Sequence, residues 1–321
     1  MINSNDLPQQ IDSNTKKNDW LVIGAGAIGL LWYSKLHQSN YTPTLLYRGN
    51  DLVNALNVIE EDSNINTFPL KKIKLENISD NKRLFNRALF CTKSFDLVNA
   101  YHGSNHLLTQ DAHILCLCNG MGIQQQLASV LRKEQKLFVG TTSEGVLKTD
   151  QNTIQKMGKG DTYFGSLSNK KRDVFPPTPF HQFYAPDIQE KLLSKLAINA
   201  AINPLTALFH VNNGRLLSTP YQRLLEACCA EIDTVIEKTY LTNHSCKNMV
   251  KKVALATQNN KSSMLQDVTH GRQTEILDIS GHLLNIAKSI RLDLPIQNIL
   301  LKALTGKINK EKAKKWLLDN Y

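Results

Sequence analysis

The sequence predicts two domains, an α/β domain built on a parallel sheet and an all-helical domain after it. Three observations carry this. Short β-rich runs alternate with helical runs through the first half. The stretch KKRDVFPPTPFHQFYAPD, with four prolines and few helical signals, then interrupts the chain. Beyond it, every long segment has helical spacing. The 321 residues suffice for two such domains.

The first 18 residues are polar, lack an apolar core segment and are expected to be a disordered tail rather than a secretory signal. WLVIG, PTLLY, ALFCT, HILCLC and KLFVG read as buried strands, with AIGLLWYSKLHQSN and GIQQQLASVLRK as helices between them. That alternation predicts a parallel sheet with helices on its faces. After Gly140, polar turns and alternating residues predict antiparallel strands appended to the sheet. The boundary is expected near Asp187, giving domains over 19–187 and 188–321. In the second, PDIQEKLLSKLAINAAIN, YQRLLEACCAEIDTVIEKTYL, QTEILDISGHLLNIAKSI and a basic terminal segment read as helices. Pro186 and the acidic residues after it suit a helix start, and Pro204 is expected to stop or kink that helix.

Composition narrows the function classes. Hydrophobic residues make 41% and charged residues 21% of the chain, as in ordinary globular proteins. No apolar run reaches the roughly 18 residues that span a bilayer, so no membrane partner is expected. Six cysteines match no zinc spacing and read as free thiols of a cytoplasmic protein, with no metal. The formal charge of +10 permits nucleic-acid binding, but no binding motif or basic-aromatic platform accompanies it, and none is expected. The same excess favours a polyanionic cofactor and an anionic substrate. Monomer and homodimer both remain open.

Gly24-Ala25-Gly26-Ala27-Ile28-Gly29 directly follows an apolar strand and opens a helix. In that context the glycines have separate tasks. Gly24 allows a tight turn, Gly26 lets backbone approach a pyrophosphate, and Gly29 lets helix pack on strand. This is the Rossmann-type dinucleotide site. Where an NAD site carries a carboxylate, this chain has Tyr47-Arg48-Gly49. Arg48 can pair with a 2′-phosphate, which favours NADPH/NADP+, although an exposed arginine is the plainer account. Lys93 and Asn119 follow two later strands, where ligands collect in open α/β sheets. Lys93 could meet cofactor phosphate or ribose, and Asn119 nicotinamide or substrate.

In SKLAINAAINPLTAL, Lys195, Asn199 and Asn203 recur every four residues along one face of an otherwise apolar helix. A helix apolar nearly all round is usually buried, and buried polar groups need partners. The line therefore either meets solvent or faces a cleft where substrate oxygens serve as partners. Ser263 and Glu275 are further polar residues in a helical region and, taken singly, are unremarkable.

GAGAIG, TKSFD, NGMG, SKLAINAAINPLTAL and SSMLQDVTHGRQTEI together make the chain resemble the ketopantoate reductases, in the family's order and over most of the length. The resemblance implies a Rossmann domain plus a helical domain like the C-terminal domain of 6-phosphogluconate dehydrogenase. It implies NADPH-dependent reduction of the 2-keto acid ketopantoate to pantoate, on the route to pantothenate and coenzyme A. It makes Lys195 the general acid, with Glu275 orienting substrate and Ser263, Asn199 and Asn203 touching it. Asn119 joins the two sites, and the Gly24–Gly29 turn, Arg48, Lys93, Asn119 and Glu275 fall at cofactor positions. Where many members read T-E-I-D, this chain has Leu277 after Thr274-Glu275-Ile276, with Asp278 one place later. Two alternatives stand beside this: a reductase of another 2-keto acid, and a non-catalytic NADPH sensor. Burial would lower the Lys195 pKa and a nearby Glu275 would raise it; the sequence does not decide between them.

Overall fold

The computed structural model describes residues 19–80, 84–167, 184–240 and 245–321. The polar first 18 residues and most of the proline-rich stretch lie outside these. The chain divides into two compact units. The first contains residues up to Thr92, Asp96–Leu117 and Leu127–Pro186. The second contains Asp187–Tyr321 together with Lys93–Phe95 and Cys118–Gln126.

The first unit opens with strand β1 (Asp19–Ile23), helix α1 (Ala27–Gln38) and strand β2 (Thr42–Tyr47). Strands β3 (Ala55–Ile59), β4 (Ile65–Pro69), β5 (Lys72–Lys74) and β6 (Phe85–Phe90) follow. After them come α2 (Leu97–Ser104), β7 (Leu108–Leu117), α3 (Ile123–Val130) and β8 (Lys136–Thr142). Three strands close the unit: β9 (Gly145–Lys148), β10 (Thr153–Gly158) and β11 (Thr162–Ser166). The main sheet runs β11-β8-β7-β6-β1-β2-β5. All its pairs are parallel except β11 with β8. All five residues of the central β1 are buried, as a strand covered on both faces requires. Trp32 of α1 meets Phe164 edge-on, with ring centroids 5.7 Å apart, and both rings are buried.

Two features depart from the sequence expectation. Strands β3, β4 and β5 lie where the sequence reading placed none; β4 buries only Phe68 of its five residues. The strands after Gly140 also split between two sheets. Strand β11 joins the main sheet, whereas β9 and β10 form a second sheet with β3 and β4, in the order β4-β3-β10-β9. Leu56, Val58 and Ile154 give that sheet a buried apolar face. Asn152 fixes its junction, accepting from Val53 N at 3.2 Å and donating to the Val53 and Ala55 carbonyls at 3.1 and 2.9 Å.

In the second unit, α4 (Ile188–Phe209) packs against α5 (Tyr221–Tyr240), α6 (Cys246–Ala256), α7 (Ser263–Thr269) and α9 (Pro295–Leu304). A π-helical turn (Leu277–Gly281) leads into α8 (His282–Ser289), and α10 (Lys310–Asn320) ends the chain. Helix α4 is long and apolar on average, but Lys195 interrupts its apolar sequence and most of the helix is buried within the protein.

Pro204 neither stops nor sharply ends α4, which runs on to Phe209. A proline at 204 leaves the Ala200 carbonyl without its helical donor. That carbonyl accepts from Gln297 Nε2 at 3.1 Å and faces Cys228 Sγ at 3.9 Å. With the orphaned acceptor satisfied from α9, the helix continues.

Candidate active site

The glycine turn sits between β1 and α1. Gly24 has φ +108°, and a Cβ there would lie 2.8 Å from the Cys91 carbonyl oxygen. At Gly29 a Cβ would meet the Gly24 oxygen at 1.9 Å, so helix and turn touch through bare backbone. Gly26 is exposed, nothing lies within 4 Å of where its Cβ would be, and it caps α1 with no side-chain bond. The turn thus offers an open backbone surface at an uncapped helix N-terminus. This is the fit a dinucleotide pyrophosphate requires, with Ala25, Ala27 and Ile28 on the same turn. Arg48 follows β2 and is ion-paired with Asp96 at the start of α2. Lys148, which the sequence reading missed, donates from β9 to the Ala25 carbonyl at 2.8 Å. No local motif marks it, because its partner lies 123 residues earlier in the chain.

The second unit gathers the remaining polar residues. Helix α4 carries Lys195, Asn199 and Asn203; both amides are buried and the lysine is half-buried. Asn199 Nδ2 approaches Asn119 Oδ1 at 3.4 Å, and Asn203 Nδ2 approaches Ser263 Oγ at 3.5 Å. Both contacts are long, so they hold the side chains loosely and leave donor capacity for a ligand. Ser263 is placed by its neighbour. Ser262 Oγ caps α7 by accepting from Leu265 N at 3.1 Å and bonds Thr206 Oγ1 of α4 at 2.7 Å.

Glu275 is buried and fully engaged. One carboxylate oxygen accepts from Ser94 N at 3.1 Å. The other accepts from Asn119 Nδ2 at 3.0 Å and from the Lys93 ammonium at 3.5 Å. Lys93 binds Asp267 more closely, at 2.6 Å, and Arg272 Nε reaches Asp267 at 3.0 Å. Ser94 Oγ donates to Asp278 at 2.5 Å. Two buried carboxylates, Asp267 and Glu275, are thus balanced by Lys93 and Arg272. Asp267 sits in the SSMLQD stretch, but its role needs the lysine 174 residues away and was not readable from spacing. The shifted Asp278 has a defined place too. It lies in the π-helical turn after Glu275, and its carbonyl accepts from Met121 N at 3.4 Å. Gly120, with φ +81°, lies beneath it; a Cβ there would come within 2.6 Å of that same oxygen.

Among the described residues the Lys195 ammonium has no hydrogen bond or ion pair, in contrast to Lys93. Burial lowers its pKa from the ordinary lysine value. Glu275, whose oxygens go to Lys93, Ser94 and Asn119, does not counter this. The contest between burial and carboxylate therefore goes to burial.

A glycine turn built for pyrophosphate, joined in one chain to a helical unit presenting an uncommitted ammonium among amides, defines a dinucleotide-dependent oxidoreductase. Comparisons with known proteins sharpen this. Residues 20–169 match the family model "Ketopantoate reductase PanE/ApbA", and residues 187–308 match "Ketopantoate reductase PanE/ApbA C terminal". The chain is similar to a 2-dehydropantoate 2-reductase of Yersinia pestis, 30% identical over 85% of this chain and 90% of that one. Among solved structures, a D-mandelate dehydrogenase in ternary complex with NADH and anilino(oxo)acetate has TM-score 0.80 and 18% identity, covering 92% of this chain and 99% of that one. A probable 2-dehydropantoate 2-reductase from Bacillus subtilis has TM-score 0.70 and 24% identity, covering 90% and 99%. The chain belongs to the ketopantoate reductase family, an NADP-dependent oxidoreductase family with a Rossmann-type domain and a helical C-terminal domain.

Proposed function

We propose that this chain reduces ketopantoate (2-dehydropantoate) to pantoate with NADPH, with Lys195 as general acid, in the cytoplasm. The observation that carries this is the Lys195 ammonium, half-buried, without a protein partner among the described residues, and one turn before Asn199 on α4. The family relatives carry the same activity in their names.

Bound reduced nicotinamide supplies the hydride. The protein's part is position, field and proton. As negative charge grows on the ketone oxygen, the Lys195 ammonium stabilises it and then delivers the proton, so the interaction strengthens toward the transition state. A lowered pKa makes that ammonium a stronger acid. Asn199 and Asn203 donate to substrate oxygens without adding charge, and Ser263 serves its carboxylate. Glu275 holds Asn119 and Lys93 in fixed orientation, which keeps both amide and ammonium ready for cofactor and substrate. The glycine turn would hold the pyrophosphate, and Arg48 the 2′-phosphate.

The test is NADPH consumption, followed by absorbance, with ketopantoate beside a panel of other 2-keto acids. Ketopantoate should give the highest kcat/KM. Lys195→Ala should lower kcat by about 10²–10⁴-fold while NADPH still binds. Near-normal turnover of that variant removes Lys195 from the role, and preference for another keto acid removes the substrate assignment.

A further inference from the structure

Arg48 is the residue that a 2′-phosphate would use, yet its guanidinium already has an anionic partner, Asp96. The two differ in mobility. The Asp96 side chain is 21% exposed and sits at the N-cap of α2, whereas the Arg48 side chain is 66% exposed. The carboxylate is the fixed member, and the arginine reaches to it. Nearby cations are occupied as well. In the β2–β5 register Lys74 stands opposite Tyr47, one residue before Arg48, and its ammonium binds Asp51 at 2.9 Å. The Lys72 ammonium donates to the Leu52 carbonyl.

We propose that Asp96 is a specificity-determining residue for the dinucleotide: it holds the guanidinium that the 2′-phosphate needs, and so keeps the preference for NADPH over NADH below what Arg48 alone would give. This rests on the reading of Arg48 as the 2′-phosphate ligand. A phosphate monoester carries about −1.5 to −2 charges at neutral pH. To bind Arg48 it must displace the carboxylate or share the planar fork with it. Sharing is geometrically open, since a guanidinium has donors on more than one edge. Either way two anions are brought close, or a formed ion pair is given up. NADH makes neither demand. Its 2′-hydroxyl is neutral and can donate to a carboxylate. One residue therefore penalises one cofactor and spares the other, and both members of the ion pair belong to the first unit.

Asp96→Asn tests this, since it keeps shape and hydrogen bonding while removing the charge. Dissociation constants of NADPH and NADH are measured by fluorescence titration for the full chain, for Asp96→Asn and for Arg48→Ala. Asp96→Asn should tighten NADPH about tenfold and leave NADH within about twofold, the size expected from removing one charge a few ångströms from a phosphate at an exposed edge. High salt should shrink that gain. Arg48→Ala should weaken NADPH selectively. If Arg48→Ala behaves so and Asp96→Asn leaves the NADPH:NADH ratio unchanged, Asp96 does not oppose the phosphate and the proposal fails while the Arg48 reading stands. If Arg48→Ala leaves NADPH binding intact, both fail.

Discussion

Helix α4 carries Lys195, Asn199 and Asn203 through a proline, and its continuity depends on one glutamine. Gln297 is fully buried and donates from Nε2 to the Ala200 carbonyl at 3.1 Å, the acceptor that Pro204 cannot serve. Gln297→Met keeps the length and most of the volume but removes that donor. Leaving a buried carbonyl unpaired costs about 1–3 kcal/mol. Two terms reduce this. The weak Cys228 thiol contact at 3.9 Å remains, and the Gln297 Oε1 atom, buried without a partner, is eliminated. The expected net loss is about 1–2 kcal/mol. Pro204→Ala supplies the control, because it restores the N–H four residues beyond Ala200. In that background Gln297→Met should cost little, so the two changes should couple by about 1 kcal/mol or more. Urea denaturation of the parent, both single variants and the double variant measures the cycle. Equal costs of Gln297→Met in both backgrounds would refute the reasoning and assign Gln297 to packing alone.

Three further outcomes follow from the site. A general acid works protonated, so kcat/KM should fall as pH rises through the Lys195 pKa, and burial should start that fall below the ordinary lysine value of 10.5; a flat profile up to that value in steady-state kinetics would contradict it. The same shift means the folded state sheds the proton earlier than the unfolded chain, so stability should rise with pH in the window between the lowered value and 10.5, and Lys195→Met should abolish that rise in a denaturation series. Gly120→Ala adds a side chain at φ +81° and within 2.6 Å of the Asp278 carbonyl. It should cost about 1–2 kcal/mol from backbone conformation alone, and by moving the turn after Glu275 it should lower kcat/KM, both read from melting and steady-state kinetics.

Much of this was readable in the chain because the signals are local. The glycine turn needs only its own six residues and a preceding strand, and the Lys195-Asn199-Asn203 line needs only helical periodicity. Strand β4 was not readable, because it buries one residue in five and shows no apolar alternation, and the pairing of β3 with β10 joins segments as far apart in the chain as Asn57 and Thr153. Pro204 was expected to stop or kink its helix; it does not stop it, and the sequence could not show this because Gln297, which serves the orphaned acceptor, lies 97 residues beyond Ala200. Asp96, Lys148 and Asp267 are single polar residues whose meaning comes from partners 48, 123 and 174 residues away. Nothing about such residues distinguishes them until the chain has folded.

The donors that hold the Glu275 carboxylate lie 156 to 182 residues upstream of it. Contacts of such long range cost closure entropy before they return any stability, so they are expected to form late. During synthesis Lys93, Ser94 and Asn119 leave the ribosome well before the acid that will bind them. A partly made or partly folded chain can therefore possess a complete sheet and glycine turn while the Asn119 amide and the Lys93 ammonium still lack the carboxylate that anchors them.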